Sequence, residues 1–84
     1  MFKILIEIKW YVEKIKDKNT KDIQYYVNGN TLDEVLENEM EKLGAQYQEF
    51  FKYEKFTKTS IWARFEPFYY NDKKVGMITL SIET

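Results

Sequence analysis

From Phe2 to Val12 the chain alternates between two sets of positions. Phe2, Ile4, Ile6, Ile8, Trp10 and Val12 share one parity, and Lys3, Leu5, Glu7, Lys9, Tyr11 and Glu13 share the other. A period of two sustained this long predicts a strand with one buried face. Lys14 to Lys21 is polar and Lys-rich, contains Asp17 and Asn19, and reads as a hairpin loop. Asp22 to Val27 returns as a second strand, with Ile23, Tyr25 and Val27 on one face and Gln24 and Tyr26 on the other. Asn28-Gly29 reads as a turn, because both residues tolerate positive φ.

The period then changes. In Thr31 to Leu43, the apolar residues Leu32, Val35, Leu36, Met40 and Leu43 form one stripe at 3.6 residues per turn. Thr31 can cap the first turn, and Glu34 stands three residues on, where its carboxylate can reach back to the Thr31 amide. Asp33 and Glu34 suit the positive end of the helix dipole, Lys42 suits the negative end, and Gly44 suits a left-handed terminus. A helix this short with one apolar stripe is marginal alone and needs a sheet to lie on.

Ala45 to Lys58 reads as a strand, because Tyr, Phe and Thr favour extended backbone. Tyr47, Phe50, Phe51 and Glu54 also fit helical spacing, so a second helix is the alternative. Thr59 to Glu66 alternates again, with Ile61, Ala63 and Phe65 on one side and Trp62, Arg64 and Glu66 on the other. Pro67 donates no ladder hydrogen bond and marks an edge, a bulge or a strand end. Phe68 to Tyr70 continues the run, Asn71 to Lys74 is a turn, and Val75 to Glu83 is the last strand, burying Ile78, Leu80 and Ile82.

The order β-β-α-β-β-β, with short hairpin connections, predicts an α+β fold. The expected architecture has two layers, an antiparallel sheet of four or five strands with one amphipathic helix on one face. The expected core comprises Ile4, Ile6, Ile8, Trp10, Leu32, Leu36, Met40, Leu43, Phe65, Leu80 and Ile82. At 84 residues the chain reads as a single domain, 1–84.

Composition mostly removes options. There is no His and no Cys, which takes away the usual neutral-pH general base, thiol nucleophiles and soft-ligand zinc sites. Ser60 and Ser81 have no imidazole to activate them, and the glycines form no phosphate-binding loop. Carboxylate-only catalysis stays formally open, since Glu7 and Glu66 can face each other on the open side of the sheet, although charged strand positions are usually just solvated. These features point to binding over catalysis, with no cofactor and no metal. Absence of cysteine fits a reducing, cytoplasmic setting. No stretch has the length of a membrane span or a signal sequence, so no membrane association is expected. A net charge of −1 gives no global pull toward nucleic acid.

Two sets of residues stand out. Asp33, Glu37 and Glu41 recur every four residues along one side of the helix. The ordinary account is a solvated helix face. The sharper one is an acidic docking surface for a basic protein partner, including mimicry of DNA in the groove of a nucleic-acid-processing enzyme. The second set, Lys9, Tyr11, Tyr26, Trp62 and Arg64, falls on the open side of the sheet. It reads as cross-strand shielding, as a protein or homodimer surface, or as a platform for single-stranded nucleic acid. Protein ranks above nucleic acid as the partner, since low net charge and a single Arg argue against strong phosphate binding. Small size and a Lys/Glu/Asn/Ile-rich composition are compatible with an accessory or inhibitor protein of the kind phages and mobile elements carry.

Overall fold

The structure is a computed structural model that describes residues 1–16, 18–52 and 57–83, with the backbone alone for Lys18. Its elements are β1 (Phe2–Trp10), β2 (Lys14–Ile15), β3 (Lys18–Asn19), β4 (Ile23–Gly29), α1 (Leu32–Gln46), β5 (Thr57–Lys58), β6 (Trp62–Tyr70) and β7 (Lys73–Glu83). Five strands form one antiparallel sheet in the order β4-β1-β7-β6-β5, and β2 pairs with β3 in a separate ribbon. The two-layer α+β expectation holds, with the main sheet and helix in the expected β-β-α-β-β-β order.

The alternation in β1 sets the layers. Ile4, Ile6 and Ile8 are fully buried and lie opposite Ile82, Leu80 and Ile78 of β7. On their other side they meet Val27, Tyr25 and Ile23 of β4. The helix buries Leu32, Val35, Leu36, Met40 and Leu43 against this face. Trp10 and Ile82, expected in the core, are only partly buried and pack at its margin. Phe2 and Val12, at the ends of the alternating run, are exposed, as is Ile61 just before β6.

Thr31 caps the helix as expected: the Glu34 N–H donates to Thr31 Oγ1 at 3.1 Å. The reciprocal bond, from the Thr31 N–H to the Glu34 carboxylate, is not formed. Thr31→Ala is expected to cost about 1 kcal/mol of stability, read as a lower urea midpoint with unchanged slope.

Two expectations about chain direction change. Asn28-Gly29 is not a turn; both residues continue β4, and no glycine has positive φ. Gly29 is needed for closeness: a Cβ there would sit 2.2 Å from Val35 Cγ2, where the helix crosses the strand end. Gly44 does not end the helix, which runs on to Gln46 and is capped at Tyr47. Its bare Cα faces the Phe51 ring, which would lie 3.4 Å from an added Cβ. Lys42 is therefore not in the last turn, which holds no basic residue.

Among the described residues, the strand expected over Ala45 to Lys58 gives way to the end of the helix, a turn, a single bridge at Phe51, and β5 at Thr57–Lys58. Glu54, the last residue of the alternative helical spacing, lies outside the described residues, as does Asp17 of the first loop. Residues 50–52 dock beside β6: the Tyr69 N–H donates to the Phe50 carbonyl at 2.6 Å, and the Lys52 N–H to the Pro67 carbonyl at 2.7 Å. The ladder between β6 and β7 shifts register between Phe65 and Phe68, so Pro67 sits at a bulge, the second of the three roles open to it. Asn71 and Asp72 both have positive φ, 52° and 62°, and close the β6–β7 hairpin as a two-residue turn of the I′ kind.

Candidate interaction surfaces

Asp33, Glu37 and Glu41 are all exposed on the outer side of α1. The structure separates the first from the others. Asp33 forms an ion pair and hydrogen bond with Lys58 of β5, which turns toward the helix layer. Glu37 and Glu41 have no cation against them among the described residues, nor has Glu34. Of the other ion pairs among the described residues, Lys42–Glu39 lies on the inner side of α1, and Lys16–Glu49, Lys52–Asp72 and Lys74–Glu66 lie off the helix.

The fifth helix carboxylate, Glu39, points the opposite way. Glu39 is only 6% exposed and accepts a 2.6 Å hydrogen bond from the Tyr25 hydroxyl of β4. Lys42 stands over the Tyr25 ring at 5.0 Å and 4.0 Å from the Glu39 carboxylate. Burial, and then the bond to Glu39, hold the Tyr25 hydroxyl well above the ordinary tyrosine value. Glu39 lies seven residues after Leu32, which puts it on the apolar stripe. That spacing is the signal in the sequence that could have marked it as buried.

The open face of the sheet divides its candidate residues by register. Tyr26, Leu5, Ser81 and Trp62 form one cross-strand row over β4, β1, β7 and β6. Tyr26 and Trp62 are 51% and 38% exposed but occupy opposite ends of that row. Three inter-strand steps separate them by roughly 14 Å. A base stacked on one ring therefore meets no aromatic side chain on the next strand. Lys3 covers the Tyr26 ring at 4.3 Å. Gln24, Glu7, Thr79 and Arg64 form the neighbouring row, so Glu7 shares its row with Arg64 and not with Glu66. Lys9 lies opposite Met77.

Tyr11 lies beyond the end of β1 and donates to Glu66 Oε2 at 3.0 Å, with Lys74 3.8 Å from the same carboxylate. Burial first and Glu66 second raise the Tyr11 hydroxyl above its ordinary value, against an opposing pull from Arg64. Tyr11, Arg64 and Glu66 thus gather at one corner, while Tyr26 and Trp62 remain apart.

Beneath the β2–β3 ribbon, a groove of about 270 Å³ is lined by Trp10, Ile15, Ile23, Tyr47 and Phe50 among others. It lies just below the usual size of a small-molecule site. Among the described residues no group of three or more carboxylates is placed to hold a metal ion, and no helix is long and apolar enough to cross a membrane. Comparison with protein-family models, with curated proteins and with solved structures finds no match for this chain.

Proposed function

We propose that the chain works by binding another protein, and that the outer face of α1 meets a basic surface on that partner. The observation that carries this reading is the contrast among the helix carboxylates. Asp33 is neutralised by Lys58 and Glu39 is buried against Tyr25, whereas Glu34, Glu37 and Glu41 stand together in solvent with no cation against them among the described residues. Such a face attracts a basic groove over a distance set by salt screening, and speeds encounter more than it adds final affinity. A groove that normally holds phosphates fits this chemistry, which makes an inhibitor of a nucleic-acid-processing enzyme the specific form of the proposal. The cysteine-free composition supports a cytoplasmic setting, and the small size supports an accessory protein of phage or mobile-element type.

The test begins with affinity capture of a partner by the tagged chain. Association with that partner is then measured for the wild type and for Glu37→Gln/Glu41→Gln. Asp33 is left in place so that its contact with Lys58 survives. The double variant is expected to fold normally, to associate several-fold more slowly at low salt and to show a flatter salt dependence. An unchanged rate with an unchanged salt slope would remove the helix face from the interface.

A further inference from the structure

The two edges of the sheet are built differently. At the β6 side, β5 is two residues long, and residues 50–52 hydrogen-bond to β6 beyond it. At the other side, β4 runs seven residues, IQYYVNG, in continuous register with β1 and, among the described residues, with no strand outside it. Exposed edges are ordinarily blunted by shortness, by charged side chains, by proline or by a bulge. Ile23–Gly29 has none of these.

Which backbone groups of β4 are open follows from its neighbour. The Trp10 N–H points to the β4 side and donates to Asp22 Oδ1 at 2.8 Å, while the Tyr11 N–H points the other way, to the Val75 carbonyl at 2.8 Å. Backbone groups alternate in direction along a strand. The even-numbered residues of β1 therefore face β4, and Ile8, Ile6 and Ile4 exchange bonds with Ile23, Tyr25 and Val27. Gln24, Tyr26 and Asn28 then turn their N–H and C=O groups outward. Among the described residues nothing bonds to them.

We infer that β4 is the seam of a homodimer, in which two copies of this edge pair antiparallel about a two-fold axis through Tyr25. The occupant follows from the strand itself. In this register Gln24 and Tyr26 of one copy exchange backbone bonds with Tyr26 and Gln24 of the other, so both edges are filled at once. Ile23, 40% exposed at the start of β4, comes to lie against Val27 of the second copy. Ile23 to Gly29 is uncharged, so no like charges oppose one another within it, and Asp22 falls opposite Asn28 of the second copy. Residues of the same parity pair, which keeps both helices on one side of a continuous sheet. The seam lies beside Glu39 and Lys42, whereas Asp33 pairs with Lys58 of β5, at the opposite edge of the sheet. A dimer of this form presents two acidic faces, and its existence does not depend on what those faces bind.

Sedimentation over a concentration series tests the seam. The wild type is expected to rise toward twice the mass of one chain. Gln24→Lys/Tyr26→Lys, which sets lysines directly opposite one another across the axis, is expected to remain monomeric with its circular dichroism unchanged. A wild type that stays monomeric throughout, or a variant that dimerises as the wild type does, overturns the proposal. Hydrogen exchange on the wild type gives a reading that needs no variant. The amides of Gln24, Tyr26 and Asn28 are expected to gain protection as concentration rises, while the Tyr25 amide is protected at every concentration. Equal exchange of the three outward amides at low and high concentration also overturns it.

Discussion

Phe68→Ala is expected to destabilise the fold by about 3–5 kcal/mol, the largest effect of any single truncation considered. Phe68 has no exposed surface and is the centre of a four-ring cluster, packed against three other rings. Its centroid lies 4.4 Å from Trp10, 5.3 Å from Tyr47 and 6.2 Å from Phe51. Each such pair adds about 0.5–1.5 kcal/mol beyond area burial. Removing the ring empties the junction where the end of α1, the end of β1 and the bulged part of β6 meet. Little can collapse into it, because Gly76 already packs its Cα closely under the Phe68 and Trp10 rings. Urea unfolding followed by Trp10 emission measures the loss. Total stabilities of small domains are about 5–15 kcal/mol, so a loss of this size is expected to leave the variant partly unfolded in buffer. Phe68→Leu keeps most of the volume and is then the readable form, with a smaller loss. A shift worth less than about 1 kcal/mol for Phe68→Ala would mean that the four rings repack freely.

Phe68 was also the core residue least legible in the sequence, and the reason is physical. Alternation carries a strand's facing forward only while the ladder is unbroken. In β6 the buried parity runs through Ala63 and Phe65, and simple continuation would turn Phe68 outward. The bulge at Pro67 adds a residue and reverses the parity, so Phe68 points inward. Proline announced an interruption without fixing which of its three meanings applied. Phe50 and Ile15 are buried for a related reason. They sit in a turn and in a two-residue strand, where no period exists to report their facing. By contrast β1, β7 and the first three turns of α1 were legible, because each is long enough for its period to repeat.

The helix end shows a local rule overruled by a tertiary contact. Glycine after a helical stripe usually ends the helix. Gly44 instead stays helical against the Phe51 ring, and the helix gains a further half turn that carries Tyr47 to the aromatic junction. The surfaces behave likewise. Periodicity was enough to place Glu37 and Glu41 in solvent. It could not show that Lys58 of a distant strand neutralises Asp33, because that depends on β5 reaching the helix layer. Nor could it show that β4 is an edge. Strand order is a global property: β1 and β7, the two ends of the chain, pair in the interior of the sheet and leave β4 outside.

The buried contact between Tyr25 and Glu39 ties the helix to that outer strand, and it predicts how the fold responds to alkali. The Tyr25 hydroxyl is held above its ordinary value by burial and by Glu39, and burial raises Tyr47 in the same direction. A raised value in the fold means that the unfolded chain loses the proton first. Below about pH 10, the ordinary tyrosine value, both states hold their protons and the contribution is fully present. Above it the unfolded state binds fewer protons than the folded one, so stability falls as pH rises toward the higher folded values. Tyr25→Phe removes the donor and leaves the Glu39 carboxylate buried with Lys42 as its remaining neighbour, 4.0 Å away. The expected loss is about 1–3 kcal/mol at neutral pH, the cost of a buried acceptor without its bond. The alkaline decline of the variant should also be shallower, because one of the titrating groups is gone. Urea midpoints measured from about pH 8 to pH 11 on both proteins give the two quantities together. A variant as stable as the wild type at neutral pH, with an equally steep decline above pH 10, would show that the hydrogen bond contributes nothing to holding α1 on β4.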